Sequence, residues 1–222
     1  MKQTTSHSFL YRNSLSIVLF ILAVLPFGGQ VITGWKEHHS FLQQSHLPAV
    51  SLSGYLTTGH FLQTTFENWE SEFFQMALFV ILTIFLRQKG SSESKDLDKP
   101  EDCDREPKDH TDAPWPVKRG GWVLSIYKHS LSLALIFLFL ISFVLHWFGS
   151  WKDYNLHQQV DGKPVEAMIA YLGNNRFWFE SFQNWQSEFM SIFMLIVLSI
   201  YLRQKGSPQS KAVDDPNYKT GE

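Results

Sequence analysis

The chain has 222 residues, with 19 basic and 21 acidic side chains and a formal net charge of −2. This balance lacks the basic excess on which nucleic-acid binding usually depends, so we expect no nucleic-acid partner. The single cysteine, Cys103, excludes an intramolecular disulfide and a zinc site built from several cysteines. The apolar residues, 44% of the chain, lie in a few uninterrupted runs, which is typical of an integral membrane protein and makes the lipid bilayer the expected partner.

The first half of the chain contains two predicted helices. Residues 13–35 carry no Asp, Glu, Lys or Arg, and about 20 helical residues cross a bilayer core of about 30 Å. A second charge-free run, residues 73–86, has 14 residues. A helix that crosses the membrane there must begin upstream of Glu72.

The second half of the chain repeats the first. Residues 11–95 align with residues 127–211 at a constant offset of 116, without gaps and with 30 identities in 85 positions. The repeat predicts a third and a fourth helix and hence an all-α membrane protein, in which four transmembrane helices form two parallel helical hairpins. The expected boundaries are a first two-helix repeat at 1–89 (spans about 13–35 and 62–87), a linker at 90–121, a second repeat at 122–206 (spans about 127–151 and 178–203) and a tail at 207–222.

Basic residues predict the orientation of these helices. The N-terminal segment, the central connection and the tail carry 15 Lys and Arg, whereas the two loops at the opposite side carry 4. The positive-inside rule therefore predicts that both termini are cytoplasmic, in the cytoplasmic membrane of a bacterium. The linker has nine acidic and six basic residues, a composition that predicts disorder.

The chain resembles an uncharacterised family of bacterial membrane proteins that carries a domain of unknown function. The resemblance lies in the segments YRNSLS, GYLTTGHFLQTTFENWESEF, DAPWPVKRGG and FWFESFQNWQSEF, the last followed by LRQKGSPQSK. It implies a bacterial integral membrane protein, and it implies no reaction, ligand or site.

A repeated polar motif is the candidate functional or helix-packing site. It comprises Asn68, Trp69 and Glu72 in the first copy and Asn184, Trp185 and Glu188 in the second. Asn and Glu are four residues apart and share one helix face. An ionisable residue within a span is costly and marks a functional site or a polar contact between helices.

Two interpretations of this motif remain open. The first is a non-enzymatic scaffold or partner-binding membrane protein, acting as a homo-oligomer or with another membrane protein. The alternative is a small proton- or cation-coupled transporter or channel in which Glu72 and Glu188 form a pair. We predict no catalytic residues, no cofactor and no metal site. His38, His39, His46 and His60 have no metal-binding spacing and are interpreted as surface histidines of an outer loop, and His146 as an interfacial residue.

Overall fold

A computed structural model describes residues 8–221, and every regular element within this range is a helix. Lys2, which contributes to the orientation argument, lies outside the described residues. The helices are α1 (Phe9–Arg12), α2 (Ser14–Gln44), α3 (Leu52–Tyr55), α4 (Gly59–Phe85), a 3-10 helix (Asp102–Asp104), α5 (Trp115–Arg119), α6 (Gly121–Lys128), α7 (Ser130–Val160), α8 (Met168–Tyr171) and α9 (Asn175–Tyr201).

Two of these helices, α2 and α7, are long and apolar enough to cross a membrane. Each has 31 residues, which corresponds to about 46 Å of helix. Leu15, Phe20 and Leu25 of α2 expose 73%, 70% and 68% of their surface, an arrangement that lipid accommodates and water does not. The two helices weakly support a membrane protein. That four helices cross the membrane stays a prediction. Helices α4 and α9 have 27 residues each, but acidic residues in α4 interrupt its first half.

Corresponding helices have boundaries that differ by the same 116 residues as the sequence repeat. This offset relates α2 to α7, α3 to α8 and α4 to α9. Side-chain contacts recur as well. The indole of Trp35 donates to the carbonyl of Val50 at 2.9 Å, and the indole of Trp151 donates to that of Glu166 at 2.8 Å. The matched residues therefore have matched local structure.

The described chain divides into two compact units. Unit 1 comprises the residues up to Thr64 together with Phe148–Ala167, and unit 2 comprises Thr65–Trp147 with the residues from Met168 onward. Each unit contains residues from both predicted repeats. In unit 1, a Cβ atom on Gly149 would lie 2.4 Å from the backbone nitrogen of Gln63, so glycine permits the close approach of α7 to the start of α4.

The predicted linker joins the tail through hydrogen bonds within unit 2. The backbone N–H of Gly90 donates to the hydroxyl of Thr220 at 2.8 Å, and the ammonium group of Lys211 donates to the carbonyl of Gly90 at 2.6 Å. After Gly90, the linker contains turns, the 3-10 helix and α5. Disorder of the linker in solution stays a prediction.

Candidate functional site

The first copy of the predicted motif lies on the surface of unit 2. Asn68, Trp69 and Glu72 of α4 are all exposed, Trp69 at 41%. Glu188 of α9 is half-buried and close enough to Glu72 to act on it electrostatically. The structure thus brings the two repeated glutamates into the same neighbourhood, and it leaves Glu72 outside the packed interior.

The second copy of the motif reaches a different carboxylate. The side-chain amide of Asn184 donates to the backbone carbonyl of Glu180 at 3.0 Å, one turn earlier on α9. The indole of Trp185 donates to Oε1 of Glu70 on α4 at 3.0 Å. Trp185 therefore connects the predicted motif, through a hydrogen bond, with Glu70, an acidic residue outside the motif.

Glu70 and His146 form a fully buried pair. Both side chains have 0% exposure, and Oε2 of Glu70 lies 2.6 Å from Nδ1 of His146 on α7. Water cannot solvate either group, and a buried charge or polar group is stable only when a partner satisfies it. The short contact and the Trp185 indole together satisfy both oxygens of Glu70.

The opposite nitrogen of His146 faces two more carboxylates. Its Nε2 lies 3.3 Å from Oε2 of Glu180 and 4.0 Å from Oε2 of Glu67. The other oxygen of Glu180 accepts a 2.8 Å hydrogen bond from Nε of Arg176. We call Glu67, Glu70, His146 and Glu180 the buried cluster, because all four side chains are less than one-fifth exposed.

Helical spacing explains how the buried cluster assembles. Glu67 and Glu70 are three residues apart on α4, and Arg176 and Glu180 are four residues apart on α9, so each pair shares one helix face. The fully buried ring of Phe177 lies 5.0 Å from the imidazole of His146. This aromatic contact closes the cluster on one side and lowers the polarity of its surroundings.

The arrangement has two chemical capabilities. As a hydrogen-bonded network it can join α4, α7 and α9. It can also hold a cation, because one ligand atom from each of Glu67, His146 and Glu180 lies within 4.8 Å of the other two. Imidazole nitrogen and carboxylate oxygen are both common metal ligands in proteins.

The outer-loop histidines occupy more varied environments than the sequence predicts. Helix α2 continues to Gln44, beyond the predicted span, so that His38 is helical and only 3% exposed instead of lying at the surface. Its ring stacks on that of His60 at 5.3 Å. The hydroxyl of Tyr55 lies 3.0 Å from Nδ1 of His60, and burial raises the pKa of Tyr55 to about 12. His46 is exposed, as predicted.

Sequence reasoning missed the buried cluster because it favoured residues that both copies share. The cluster residues differ between copies, since His146 aligns with Gln30, Glu180 with Thr64, Glu67 with Gln183 and Glu70 with Gln186. An ionisable side chain that replaces a neutral one within a predicted span was the available signal. Of the predicted motif residues, Trp185 donates to a carboxylate of the cluster and Asn184 donates to the backbone carbonyl of Glu180.

Comparisons with known proteins identify a family. No curated protein and no solved structure matches the chain. A family model described as "Domain of unknown function (DUF6766)" matches residues 6–222, which is nearly the whole chain. The chain therefore belongs to the DUF6766 family.

Proposed function

We propose that the chain is a four-span protein of the bacterial cytoplasmic membrane, with both termini in the cytoplasm. Helices α4 and α9 supply the additional spans, since 27 residues correspond to about 40 Å of helix. The excess of Lys and Arg in the termini and linker supports this orientation. The matched helix boundaries support two parallel helical hairpins.

The function that we propose for this protein is non-enzymatic: it binds a cation at the buried cluster and moves it across the membrane. The fully buried Glu70, in contact with His146, is the observation that carries the proposal. An ionisable group inside a span costs free energy, about 2.5–3.5 kcal/mol at the bilayer centre on insertion scales and less toward the interface, and such groups often mark ion-binding sites. Glu72, the predicted transport residue, is exposed and meets this criterion less well.

The position of the cluster suits entry of a cation from the outer side. Glu70 lies 17 residues before Arg87, the predicted inner boundary of α4, which places it about 25 Å above that boundary. His146 lies five residues before Trp151, at the predicted outer end of its span. The cluster is therefore near the outer surface of a core about 30 Å thick.

Cation flux into proteoliposomes tests the proposal. Wild-type protein is compared with His146→Gln, which introduces the residue found at the equivalent position 30, and with the double variant Glu72→Gln, Glu188→Gln. We expect flux in the wild type, its loss in His146→Gln and its retention in the double variant. Loss in the double variant alone would instead assign transport to the predicted pair. Absence of monovalent and divalent cation flux in the wild type would contradict transport.

A membrane scaffold is the second candidate function. The specific observation in its favour is that Glu70 of α4 binds both His146 of α7 and Trp185 of α9, which joins three helices by polar contacts. In this role the protein assembles with itself or with another membrane protein and moves no ion. A Glu70→Gln variant that alters oligomeric assembly, from a wild type without cation flux, would support the scaffold.

A further inference from the structure

We propose that Glu67, His146 and Glu180 bind a divalent first-row transition-metal ion, with Glu70 holding the imidazole in place. This inference rests on the proposed function and names the class of its cation. The structure describes a ligand set of one nitrogen and two oxygens, contributed by three different helices.

The distances between the ligand atoms fit a metal centre. Zinc binds imidazole nitrogen and carboxylate oxygen at about 2.0–2.2 Å, so tetrahedral ligands around it are about 3.4 Å apart. Nε2 of His146 lies 3.3 Å from one oxygen of Glu180 and 4.0 Å from one oxygen of Glu67. All three ligand atoms lie within 4.8 Å of one another. Small rotations of the two carboxylates bring them into coordination distance, and a fourth position stays open for water.

Glu70 has the geometry of a group that orients a metal ligand. Its Oε2 lies 2.6 Å from Nδ1 of His146, so Nδ1–H donates to the carboxylate and Nε2 faces Glu67 and Glu180. Its Oε1 accepts from the indole of Trp185. Histidine ligands of metals commonly donate their second N–H to a carboxylate, which fixes the tautomer and makes the imidazole more basic.

The first copy shows that the fold does not require ionisable side chains at the equivalent contact. Gln30, which aligns with His146, donates from its side-chain amide to the backbone carbonyl of Thr64 at 3.2 Å. Thr64 aligns with Glu180. A neutral amide thus forms the helix contact in one copy, whereas imidazole and carboxylate occupy it in the other. This helix contact therefore does not by itself require ionisable groups, and a bound cation would give them a role.

The ligand types define the metal class. Carboxylates alone favour Mg²⁺ or Ca²⁺, whereas an imidazole nitrogen suits Zn²⁺, Fe²⁺ and other later first-row ions, and Mn²⁺ accepts both ligand types. The absence of thiolate from this set disfavours Cu⁺. Zn²⁺ and Mn²⁺ are therefore the appropriate probes, with Mg²⁺ as the comparison ion.

Metal content of the purified, tag-free full-length protein tests the inference. After exposure to Zn²⁺ or Mn²⁺ and removal of the excess, we expect about one ion per chain by elemental analysis. His146→Gln and Glu67→Gln should bind at least about tenfold more weakly, and Glu70→Gln about 10–100-fold more weakly. Two matched controls should retain wild-type affinity: Glu72→Gln on the exposed face of α4, and His60→Gln in unit 1.

X-ray absorption at the zinc edge of the wild type provides a measurement that does not depend on variants. One imidazole and two carboxylates at about 2.0–2.2 Å support the inference. Three results would overturn the inference. The first is the absence of a bound ion, and the second is binding of Mg²⁺ in preference to Zn²⁺ and Mn²⁺. The third is full metal binding by His146→Gln together with loss of binding by His60→Gln. Metal binding without cation flux would support the metal site and contradict transport. Na⁺ or K⁺ flux that His146→Gln abolishes, in a protein that binds no metal, would support transport and contradict the metal site.

Discussion

Truncation of Glu70 to alanine should strongly destabilise the protein. The variant deprives two buried donors of their acceptor, namely Nδ1–H of His146, 2.6 Å from the carboxylate, and the Trp185 indole, 3.0 Å from it. A buried donor without an acceptor costs about 1–3 kcal/mol. The free energy of unfolding should therefore fall by about 2–6 kcal/mol, and Glu70→Gln, which keeps one carbonyl acceptor, should lose about half as much.

Reversible unfolding in mixed detergent micelles measures this difference. Glu72→Ala is the matched control, because Glu72 lies two residues away on the same helix and is exposed, so its truncation should destabilise by no more than about 0.5 kcal/mol. Equal effects of Glu70→Ala and Glu72→Ala, or a loss below about 0.5 kcal/mol for Glu70→Ala, would refute the reasoning that the carboxylate of Glu70 satisfies buried donors.

Three further predictions concern unit 1. Gly149→Ala should destabilise by about 1–3 kcal/mol, because its Cβ would lie 2.4 Å from the backbone nitrogen of Gln63; an unchanged thermal midpoint would contradict the close approach of the helices. Trp35→Phe and Trp151→Phe should each lower the free energy of unfolding by about 1 kcal/mol, since each loses one indole–carbonyl hydrogen bond of nearly the same length. Markedly unequal losses of stability would argue against equivalent contacts. Burial raises the pKa of Tyr55 to about 12, so in the folded state Tyr55 keeps its proton to higher pH than in the unfolded state. Stability contributed by Tyr55 should then fall as the pH rises from about 10 to about 12, and the ultraviolet tyrosinate titration of Tyr55→Phe should lack a step near the upper value.

The helical elements follow from residues that both copies share. Long charge-free runs predict α2 and α7, which have the length and composition of membrane spans, and the gapless repeat predicts elements with matched boundaries. The ends of these helices were less predictable. Helix α2 continues through the charged residues Lys36 and Glu37 to Gln44, because contacts such as His38 with His60 stabilise helix outside the apolar run.

The buried cluster was not predictable from motif counting, because tertiary structure decides which acidic residue is buried. Glu70 and Glu72 are two residues apart, so they point to different faces of α4. Only Glu72 recurs in the second copy, as Glu188, and repetition therefore favoured it. Glu70 is the residue that α7 and α9 cover. Ionisable residues that replace neutral ones between the copies include all four cluster residues, together with others such as His129 and Lys163.

Anomalous diffraction from crystals of the lipid-embedded protein soaked in Zn²⁺ tests the central claim most directly. We expect one strong anomalous peak at about 2.0–2.2 Å from Nε2 of His146, with oxygens of Glu67 and Glu180 as further ligands. No peak at the cluster in zinc-saturated crystals, with Nε2 of His146 still hydrogen-bonded to Glu180, would contradict it.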